Sequence, residues 1–381
     1  MTRAIRIGIN GFGRIGRQVA RMAVTSPDLE IAAVNDLAPN VENLAYLYNY
    51  DSTFGRAPVR ANAFPARGVV AFGNREAPFF AQDLSLHVPW QDHGVEILIE
   101  ATGVAANVRA AKALVAAGRV RKVIVTHSPD EGVDRYIIMG INDSDYDDRR
   151  DHVVSNTICD ANAIAHPLLA IDRKYGIDSG FVTTLHPWLS YQNLVDAPVG
   201  WQQRPGQFWT DFSLGRMSTG TLIPKSTTAV TTLAPILPAI AKRLGGFSFR
   251  TPTHIVSCAD LTLRLRCDTT GENLGRFLAD AFEGSPYVGL NRESLVGVDY
   301  VGSPLSATID MQWVQVVGRR MAKLVLWYDN EWGYSSRVMD MARLMSRGAA
   351  PADRKPAGRG VSRGRPRRRS SGGPAPSPRR K

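Results

Sequence analysis

Short apolar strands alternate with amphipathic helices over the first 156 residues. The pattern predicts two helices, Arg14–Ala23 and Asn107–Ala117, and it predicts four strands, at Ala4–Ile9, Glu30–Val34, Val95–Glu100 and Lys122–Val125. Gly118 can end the second helix. Such alternation is typical of a doubly wound parallel sheet with helices on both faces.

The pattern changes after Ser155-Asn156, where strand-like runs become separated by long connections. We expect a mostly antiparallel sheet with helices on one face. The predicted strands are Gly180–Leu185, His254–Ser257, Leu261–Cys267, Ala307–Trp313 and Lys323–Tyr328, and the predicted helices are Thr231–Leu244, Glu272–Ala281 and Ser335–Ser346. The fold class is therefore α/β, with a doubly wound domain at 1–157 that helix 330–346 completes, and an α+β domain at 158–329.

The formal charge of +11 resides entirely in the C-terminal tail. Residues 347–381 hold twelve Lys or Arg and one Asp, so 34 basic and 34 acidic residues remain in 1–346. The tail is rich in Arg, Pro, Gly and Ser, and we expect it to be disordered. It could bind RNA, DNA or another polyanion, although it has no aromatic residues for base stacking, and a solubilising or accidental tail is the preferred interpretation.

No apolar run reaches the length of roughly eighteen residues that a membrane span needs. The N-terminus enters a strand pattern directly, without a signal-peptide core. The three cysteines, Cys159, Cys258 and Cys267, suggest no disulfide framework. We therefore expect a cytoplasmic protein with no membrane association.

A glycine-rich loop follows the first strand and opens the first helix. A glycine turn at a helix N-terminus offers backbone N–H groups to a pyrophosphate, as in Rossmann-type domains. Asp36 lies twenty residues after the last glycine, where a carboxylate accepts hydrogen bonds from a ribose and repels a 2′-phosphate. The sequence thus predicts NAD rather than NADP, with a purely structural turn as the alternative. The loop is Gly11-Phe12-Gly13-Arg14-Ile15-Gly16.

Cys159 and His186 form the candidate catalytic pair. Cys159 is predicted at a strand-to-helix junction, where the helix N-terminus lowers a thiol pKa. His186 ends a predicted strand of the second domain and could act as its base. The alternative is an inert cysteine and a core histidine, which is the interpretation we give Cys258 and Cys267 inside their strand patterns.

Eight segments in order, covering residues 3–346, resemble the phosphorylating glyceraldehyde-3-phosphate dehydrogenase family, with erythrose-4-phosphate dehydrogenases as close relatives. The matching segments are Ile9–Arg17, Tyr50–Arg56, Glu100–Val104, Ser155-Asn156 with Cys159 and Asn162, Thr183–His186, Phe249–Thr253, Asp260–Thr262 and Tyr328–Tyr334. The resemblance implies a homotetramer that binds NAD and a small phosphorylated aldehyde.

By this resemblance, Cys159 attacks the aldehyde, His186 takes the thiol proton, and hydride transfer leaves a thioester. His186 and the Cys159 backbone N–H would stabilise the oxyanion. The family's cofactor contacts match Gly11, Arg14, Ile15, Asp36, Thr102 and Asn330, with Thr126 where a serine is usual. Its phosphate contacts match Arg216, Thr227 and Arg250.

Five positions depart from the family around the phosphate sites. The family usually has Ser-Cys-Thr-Thr-Asn at the nucleophile, where this chain has Ile158-Cys159-Asp160-Ala161-Asn162. Leu189 replaces a threonine, and Thr228 replaces a glycine. The loop 187–216 is longer than usual and carries Trp188, Trp201, Phe208, Trp209 and Phe212, which we expect to pack at a subunit interface rather than to reshape the pocket.

These departures leave three functions open. The first is phosphate-dependent oxidation of a sugar-phosphate aldehyde. The second is oxidation of another aldehyde with altered or no phosphate dependence, in which Asp160 positions a water or binds a cationic group. The third is a weakly catalytic protein that binds polyanions through its tail.

Overall fold

Two large β-sheets organise the computed structural model, which describes residues 3–38, 40–190, 192–198 and 212–347. No helix within these ranges is long and apolar enough to cross a membrane. The expectations about the tail beyond residue 347 and about Trp201, Phe208 and Trp209 lie outside the described residues.

Among its described residues, the N-terminal half contains three α-helices and eleven strands. The helices are α1 (Arg14–Ala23), α2 (Val41–Asn49) and α3 (Ala105–Ala116). The strands are β1 (Ile5–Asn10), β2 (Leu29–Asn35), β3 (Tyr50–Asp51), β4 (Gly55–Arg56), β5 (Ala61–Phe64), β6 (Val69–Phe72), β7 (Arg75–Phe80), β8 (Ile97–Glu100), β9 (Lys122–Val125), β10 (Arg135–Tyr136) and β11 (Val153–Ser155).

Nine of these strands form the first sheet, in the order β10-β11-β9-β8-β1-β2-β7-β6-β5. Its pairs are parallel apart from β5–β6 and β6–β7, which confirms the expected doubly wound sheet. β1 has β2 on one side and β8 on the other, so the direction of winding reverses there. Ligands of such sheets bind at the carboxyl ends of the strands beside this reversal.

As far as the structure describes it, the second half contains four α-helices and eight strands. The helices are α4 (Cys159–Tyr175), α5 (Pro238–Ala241), α6 (Gly271–Phe282) and α7 (Trp332–Ser346). The strands are β12 (Ile177–Pro187), β13 (Ile223–Lys225), β14 (Leu244–Thr251), β15 (Ser257–Leu265), β16 (Val288–Asn291), β17 (Ala307–Asp310), β18 (Gln315–Val317) and β19 (Met321–Tyr328).

These eight strands form the second sheet, in the order β13-β14-β12-β15-β19-β17-β16, with β18 paired to β19. Its pairs are antiparallel apart from β12–β14 and β16–β17, so the mostly antiparallel sheet is also confirmed. α4 packs on this sheet through Ile164, Leu168 and Ile171. α7 instead places Val338 and Met341 in the core of the first sheet.

Three sequence expectations about these elements are wrong. A 3-10 turn at Thr231–Leu233, the short α5 and the start of β14 replace the predicted helix Thr231–Leu244. Pro235 and Pro238 lack the amide hydrogens that a continuous helix requires. The predicted strand Ala307–Trp313 ends at Asp310, where a 3-10 turn begins.

The third error is the strand predicted at His254–Ser257, because β15 begins only at Ser257. Val256 has a φ of 66°, outside the extended region of the backbone. The same strand ends at Leu265, so Cys267 lies beyond it and is exposed, contrary to the expected core position.

Candidate active site

The glycine loop brings β1 and α1 close together and leaves room at the helix N-terminus. A Cβ on Gly16 would lie 2.0 Å from the Gly11 carbonyl oxygen, and one on Gly11, whose φ is 93°, would lie 2.7 Å from the Thr102 nitrogen. A Cβ on Gly13 would meet no described atom within 4 Å. Gly13 caps α1 without a side-chain hydrogen bond, so the first amides of the helix face open space, as an anion site requires.

Asp36 lies directly beside this loop, at the end of β2. Its Oδ2 accepts a hydrogen bond from the Phe12 amide at 2.5 Å, and its Oδ1 accepts one from the Ala38 amide at 2.7 Å. Asp36, Gly13 and Leu47 line a cavity of about 290 Å³. The carboxylate is thus fixed at the wall of a cavity that begins at the predicted pyrophosphate position.

The Arg14 side chain connects α1 to the loop before α7. Its Nε donates to the two carboxylate oxygens of Glu331 at 2.8 and 2.9 Å, and Nη1 donates to Asp51 at 2.5 Å. Burial alone would lower the pKa of Arg14, but these two carboxylates raise it above its ordinary value. The guanidinium therefore has a structural role, and a contact of Arg14 with a cofactor would have to come from its backbone N–H.

Asn330 precedes Glu331 in the same loop and carries an unsatisfied polar atom. Its Oδ1 is buried without a hydrogen-bond partner among the described residues. Leaving a buried acceptor unpaired costs roughly 1–3 kcal/mol, so such an atom indicates a missing donor. The carboxamide N–H of a nicotinamide is a donor of the required kind.

Thr102 and Thr126 both bind Glu100, at the end of β8. The Thr102 hydroxyl donates to the Glu100 carboxylate, and the Thr126 hydroxyl donates to the Glu100 carbonyl oxygen at 3.2 Å. Burial raises the pKa of Glu100 to about 7. Both threonines therefore lie beside Asn10 and Glu100 at the carboxyl edge of the sheet, where the sequence predicted cofactor contacts.

Cys159 is the first residue of α4, as the sequence predicted, and a tight turn places it there. Thr157 has a φ of 56°, an unfavourable value for a β-branched residue. The Asn162 amide lies 3.0 Å from the carbonyl oxygens of Asn156 and Ile158 and from the Thr157 hydroxyl. Asn162 thus closes the turn from inside the helix and fixes the direction of the cysteine.

Asp160 lies between the cysteine and the histidine. Its Oδ1 is 2.6 Å from His186 Nε2, accepts a hydrogen bond from the Tyr328 hydroxyl at 2.8 Å, and is 3.4 Å from Cys159 Sγ. One ligand atom from each of Cys159, Asp160 and His186 lies within 4.8 Å of the others. The thiol's hydrogen bond is with Asp160, so this carboxylate lies between the sulfur and the His186 imidazole.

The pKa of the Cys159 thiol differs from the sequence prediction. Burial, followed by the nearby Asp160 charge, raises the pKa of the Cys159 thiol well above its ordinary value, so the predicted lowering by the helix N-terminus is wrong. Burial would also raise the pKa of Asp160, but His186 and the Tyr328 hydroxyl lower it to about 2. The site holds a carboxylate beside a neutral thiol.

Sequence reasoning missed two residues that position this cluster. The Ser257 hydroxyl is 2.8 Å from His186 Nδ1 and therefore fixes the imidazole from the far side. Tyr328 was noted only as part of a matching segment. The positions of Ser257 and Tyr328 follow from the sheet pairing. β12 and β19 flank β15, which brings both residues and His186 to one end of the sheet.

The three predicted phosphate-binding residues occupy different environments. Arg250 is buried beside β12, donates to the Pro187 carbonyl oxygen at 3.3 Å, and has an Nε without a partner among the described residues. Its charge also acts on the Cys159 thiol. Arg216 is largely exposed and paired with Asp196 at 2.9 Å.

The hydroxyl of Thr227, the third of these residues, accepts a hydrogen bond from the Ala229 amide at 3.1 Å. It can still donate its own hydrogen to an anion. Arg250 is therefore the predicted phosphate ligand whose position and unsatisfied donor best fit an anion near the thiol.

Comparison with known proteins places this sequence in a family. Residues 5–108 match the family model of the glyceraldehyde 3-phosphate dehydrogenase NAD binding domain, and residues 158–330 match that of its C-terminal domain. The chain is 37% identical over 352 residues to the cytosolic glyceraldehyde-3-phosphate dehydrogenase of Chlamydomonas reinhardtii, covering 92% of this chain and 99% of that protein.

Two bacterial proteins are similar over nearly the same extent. Glyceraldehyde-3-phosphate dehydrogenase 2 of Streptomyces arenae is 39% identical over 345 residues, and the glyceraldehyde-3-phosphate dehydrogenase of Geobacillus stearothermophilus is 36% identical over 345 residues. Each of these matches covers 90% of this chain and 98% of the relative.

Proposed function

Because the chain belongs to the glyceraldehyde-3-phosphate dehydrogenase family, we propose that it oxidises glyceraldehyde 3-phosphate or a similar phosphorylated aldehyde through a covalent intermediate on Cys159. Family membership makes it an NAD-dependent oxidoreductase. The observation that carries the proposal is the placement of Cys159, with His186 close by, at the N-terminus of α4.

The chain's own residues fit NAD along the carboxyl edge of the first sheet. The amides after Gly13 would hold the pyrophosphate, and Asp36 would accept hydrogen bonds from the adenosine ribose. The unpartnered Asn330 Oδ1 would accept the carboxamide N–H of the nicotinamide. When bound there, NAD supplies the hydride acceptor for the reaction.

The thiol and its neighbours carry the bond-making steps. Cys159 Sγ attacks the aldehyde carbon, and its proton moves to Asp160 and on to His186, which is the proposed base. The Cys159 backbone N–H and the protonated imidazole stabilise the oxygen anion of the adduct. Loss of hydride from that carbon leaves a thioester on Cys159.

Arg250 is the proposed ligand of the substrate phosphate. It is buried, it has an unpartnered Nε, and its charge reaches the thiol. A charge-assisted hydrogen bond from a buried arginine is worth roughly 1.5–3 kcal/mol, or about ten- to a hundredfold in affinity. We expect less from Arg216, because Asp196 and solvent already satisfy it.

NADH formation by the purified full-length chain with NAD and glyceraldehyde 3-phosphate tests the proposal. We expect turnover that Cys159→Ser abolishes, and an increase in the aldehyde KM of about tenfold or more in Arg250→Ala but not in Arg216→Ala. Normal activity of Cys159→Ser would rule out the covalent route, and an unchanged KM in Arg250→Ala would rule out the assigned phosphate site.

We also propose a cytoplasmic homotetramer. The tetramer is the assembly that the family resemblance implies, and the location agrees with the printed name of the algal relative and with three cysteines that form no disulfide. Light scattering on the purified chain tests the assembly. Polyanion binding by the tail gains no support from the comparisons, because the family model of the C-terminal domain matches only as far as residue 330.

A further inference from the structure

Asp160 has a free acceptor oxygen inside the active site. All hydrogen bonds recorded for its carboxylate, to Cys159, His186 and Tyr328, end at Oδ1. No described residue bonds to Oδ2. The carboxylate is therefore held firmly by one oxygen, while the other can accept a hydrogen bond from a small molecule beside the sulfur.

The described residues around the thiol offer few donors to an attacking phosphate. Ile158, on the other side of Cys159, is apolar and packs against the second core. Leu189 is also apolar, and the Arg216 guanidinium is bound to Asp196. The charge of Arg250 acts on the thiol, and the proposed function assigns this arginine to the substrate's own phosphate.

Electrostatics favour a neutral acyl acceptor at this position. The Asp160 carboxylate stays ionised at neutral pH because its pKa is lowered to about 2. Two like unit charges about 4 Å apart in a partly shielded site change a binding constant by about a thousandfold. Inorganic phosphate must overcome this repulsion to reach the thioester, whereas water is attracted by the same carboxylate.

We propose that the Cys159 thioester is hydrolysed by water that Asp160 activates, so that the product is a carboxylate rather than an acyl phosphate. This inference rests on the proposed function, because it concerns the fate of the intermediate formed there. It assigns water as the acyl acceptor and Asp160 as a catalytic residue.

The proton path follows from the geometry of the carboxylate. The water oxygen bonds to the acyl carbon while one water proton moves to Asp160 Oδ2. The carbon–sulfur bond then breaks, and His186, which holds the thiol proton from the first step, returns it through Asp160 Oδ1 to the departing Sγ, 3.4 Å away, while the proton on Oδ2 passes to solvent. The free acid loses its second proton to solvent, and the step involves no oxidation or reduction.

The test combines NADH formation with product analysis in H₂¹⁸O, without and with inorganic phosphate. A chelator is present because Cys159, Asp160 and His186 could also bind a metal ion. We expect sustained turnover without phosphate, one ¹⁸O atom in the acid beyond the label that the aldehyde oxygen gains through its hydrate, and no acceleration by phosphate. A burst of one NADH per site that stops until phosphate is added would overturn the inference, while still supporting the proposed oxidation.

Variants at Asp160 examine the same step. We expect Asp160→Asn to hydrolyse the thioester about a hundredfold more slowly, the usual contribution of a general base. Asp160→Thr, which carries the family's residue, should become phosphate-dependent. Asp178→Asn is the matched control, because Asp178 is an exposed carboxylate on β12, paired with Arg264 at 3.6 Å. Equal hydrolysis rates in Asp160→Asn and Asp178→Asn would contradict the assignment.

Absence of any NADH burst with glyceraldehyde 3-phosphate would count against the proposed substrate, not against hydrolysis. Acyl transfer from p-nitrophenyl acetate then loads Cys159 without the oxidation step, and release of acetate reports hydrolysis alone. We expect the same hundredfold gap between Asp160→Asn and wild type. Equal release by both proteins would refute the role of Asp160 independently of the substrate.

Discussion

Replacement of Asn162 by alanine tests how the fold positions the nucleophile. The Asn162 amide holds the turn that leads into α4, with contacts of 3.0 Å to Asn156, Thr157 and Ile158. An amide group has two hydrogens, so these three contacts amount to two full hydrogen bonds, one of which is shared. The residue is buried, and water cannot replace the lost donors without opening the turn.

The expected loss of stability in Asn162→Ala follows from these hydrogen bonds and from the backbone conformation that they hold. Two buried hydrogen bonds contribute about 1–3 kcal/mol together, and the acceptors left unpaired add to the loss. Thr157, at a φ of 56°, stores about 1–3 kcal/mol of strain that the turn must contain. We expect the variant to lose about 2–4 kcal/mol of stability. If the Thr157 backbone leaves this φ, Cys159 moves by about 1 Å, and such a displacement lowers activity about a hundredfold.

Urea unfolding at fixed protein concentration and the rate of NADH formation measure the two effects. The double variant Thr157→Gly/Asn162→Ala provides the internal check, because glycine tolerates the positive φ without strain. It should recover part of the stability that Asn162→Ala loses. A midpoint and a rate like those of wild type in Asn162→Ala would refute the claim that this amide positions the cysteine.

Three further predictions concern the cofactor edge of the first sheet. Asp36→Ala should bind NAD less tightly and discriminate less against NADP, as a fluorescence titration would reveal; equal selectivity would contradict the assigned ribose contact. Gly16→Ala should lose about 1–3 kcal/mol of stability, because its Cβ would lie 2.0 Å from a carbonyl oxygen. Gly13→Ala should unfold like wild type, because its Cβ meets no described atom within 4 Å, but it should bind NAD more weakly. Burial raises the pKa of Glu100 from 4.5 to about 7, so between these pH values the folded state retains a proton that the unfolded state loses. The stability of the protein therefore falls as pH rises from 4.5 to about 7. Glu100→Gln should remove this contribution to the fall in the unfolding midpoint.

Periodicity predicted the elements whose apolar pattern and end signals agree. Helix α1 has the predicted bounds Arg14–Ala23, since the glycine loop defines its start. The helix expected at Thr231–Leu244 failed because Pro235 and Pro238 interrupt an otherwise helical pattern. Their effect was visible in the sequence and was outweighed by the apolar spacing.

The site was predictable as a set of residues but not as a network. Motifs located Cys159, His186 and Asp36, because Cys159 opens a helix, His186 lies near the end of a strand and Asp36 directly follows one. The contacts of Asp160 with Tyr328 and His186 depend on the pairing of distant strands, which one sequence does not reveal. Burial, followed by the charge of Asp160, raises the thiol pKa, so a rule about helix N-termini alone gave the wrong direction.

Mass spectrometry of the intact protein, quenched in acid within one turnover of NAD and glyceraldehyde 3-phosphate, tests the central claim most directly. The account predicts an acyl adduct on Cys159 that accumulates in Asp160→Asn and is missing in Cys159→Ser. NADH formation with Cys159 unmodified throughout, or with the adduct on Cys258 or Cys267 instead, would contradict it.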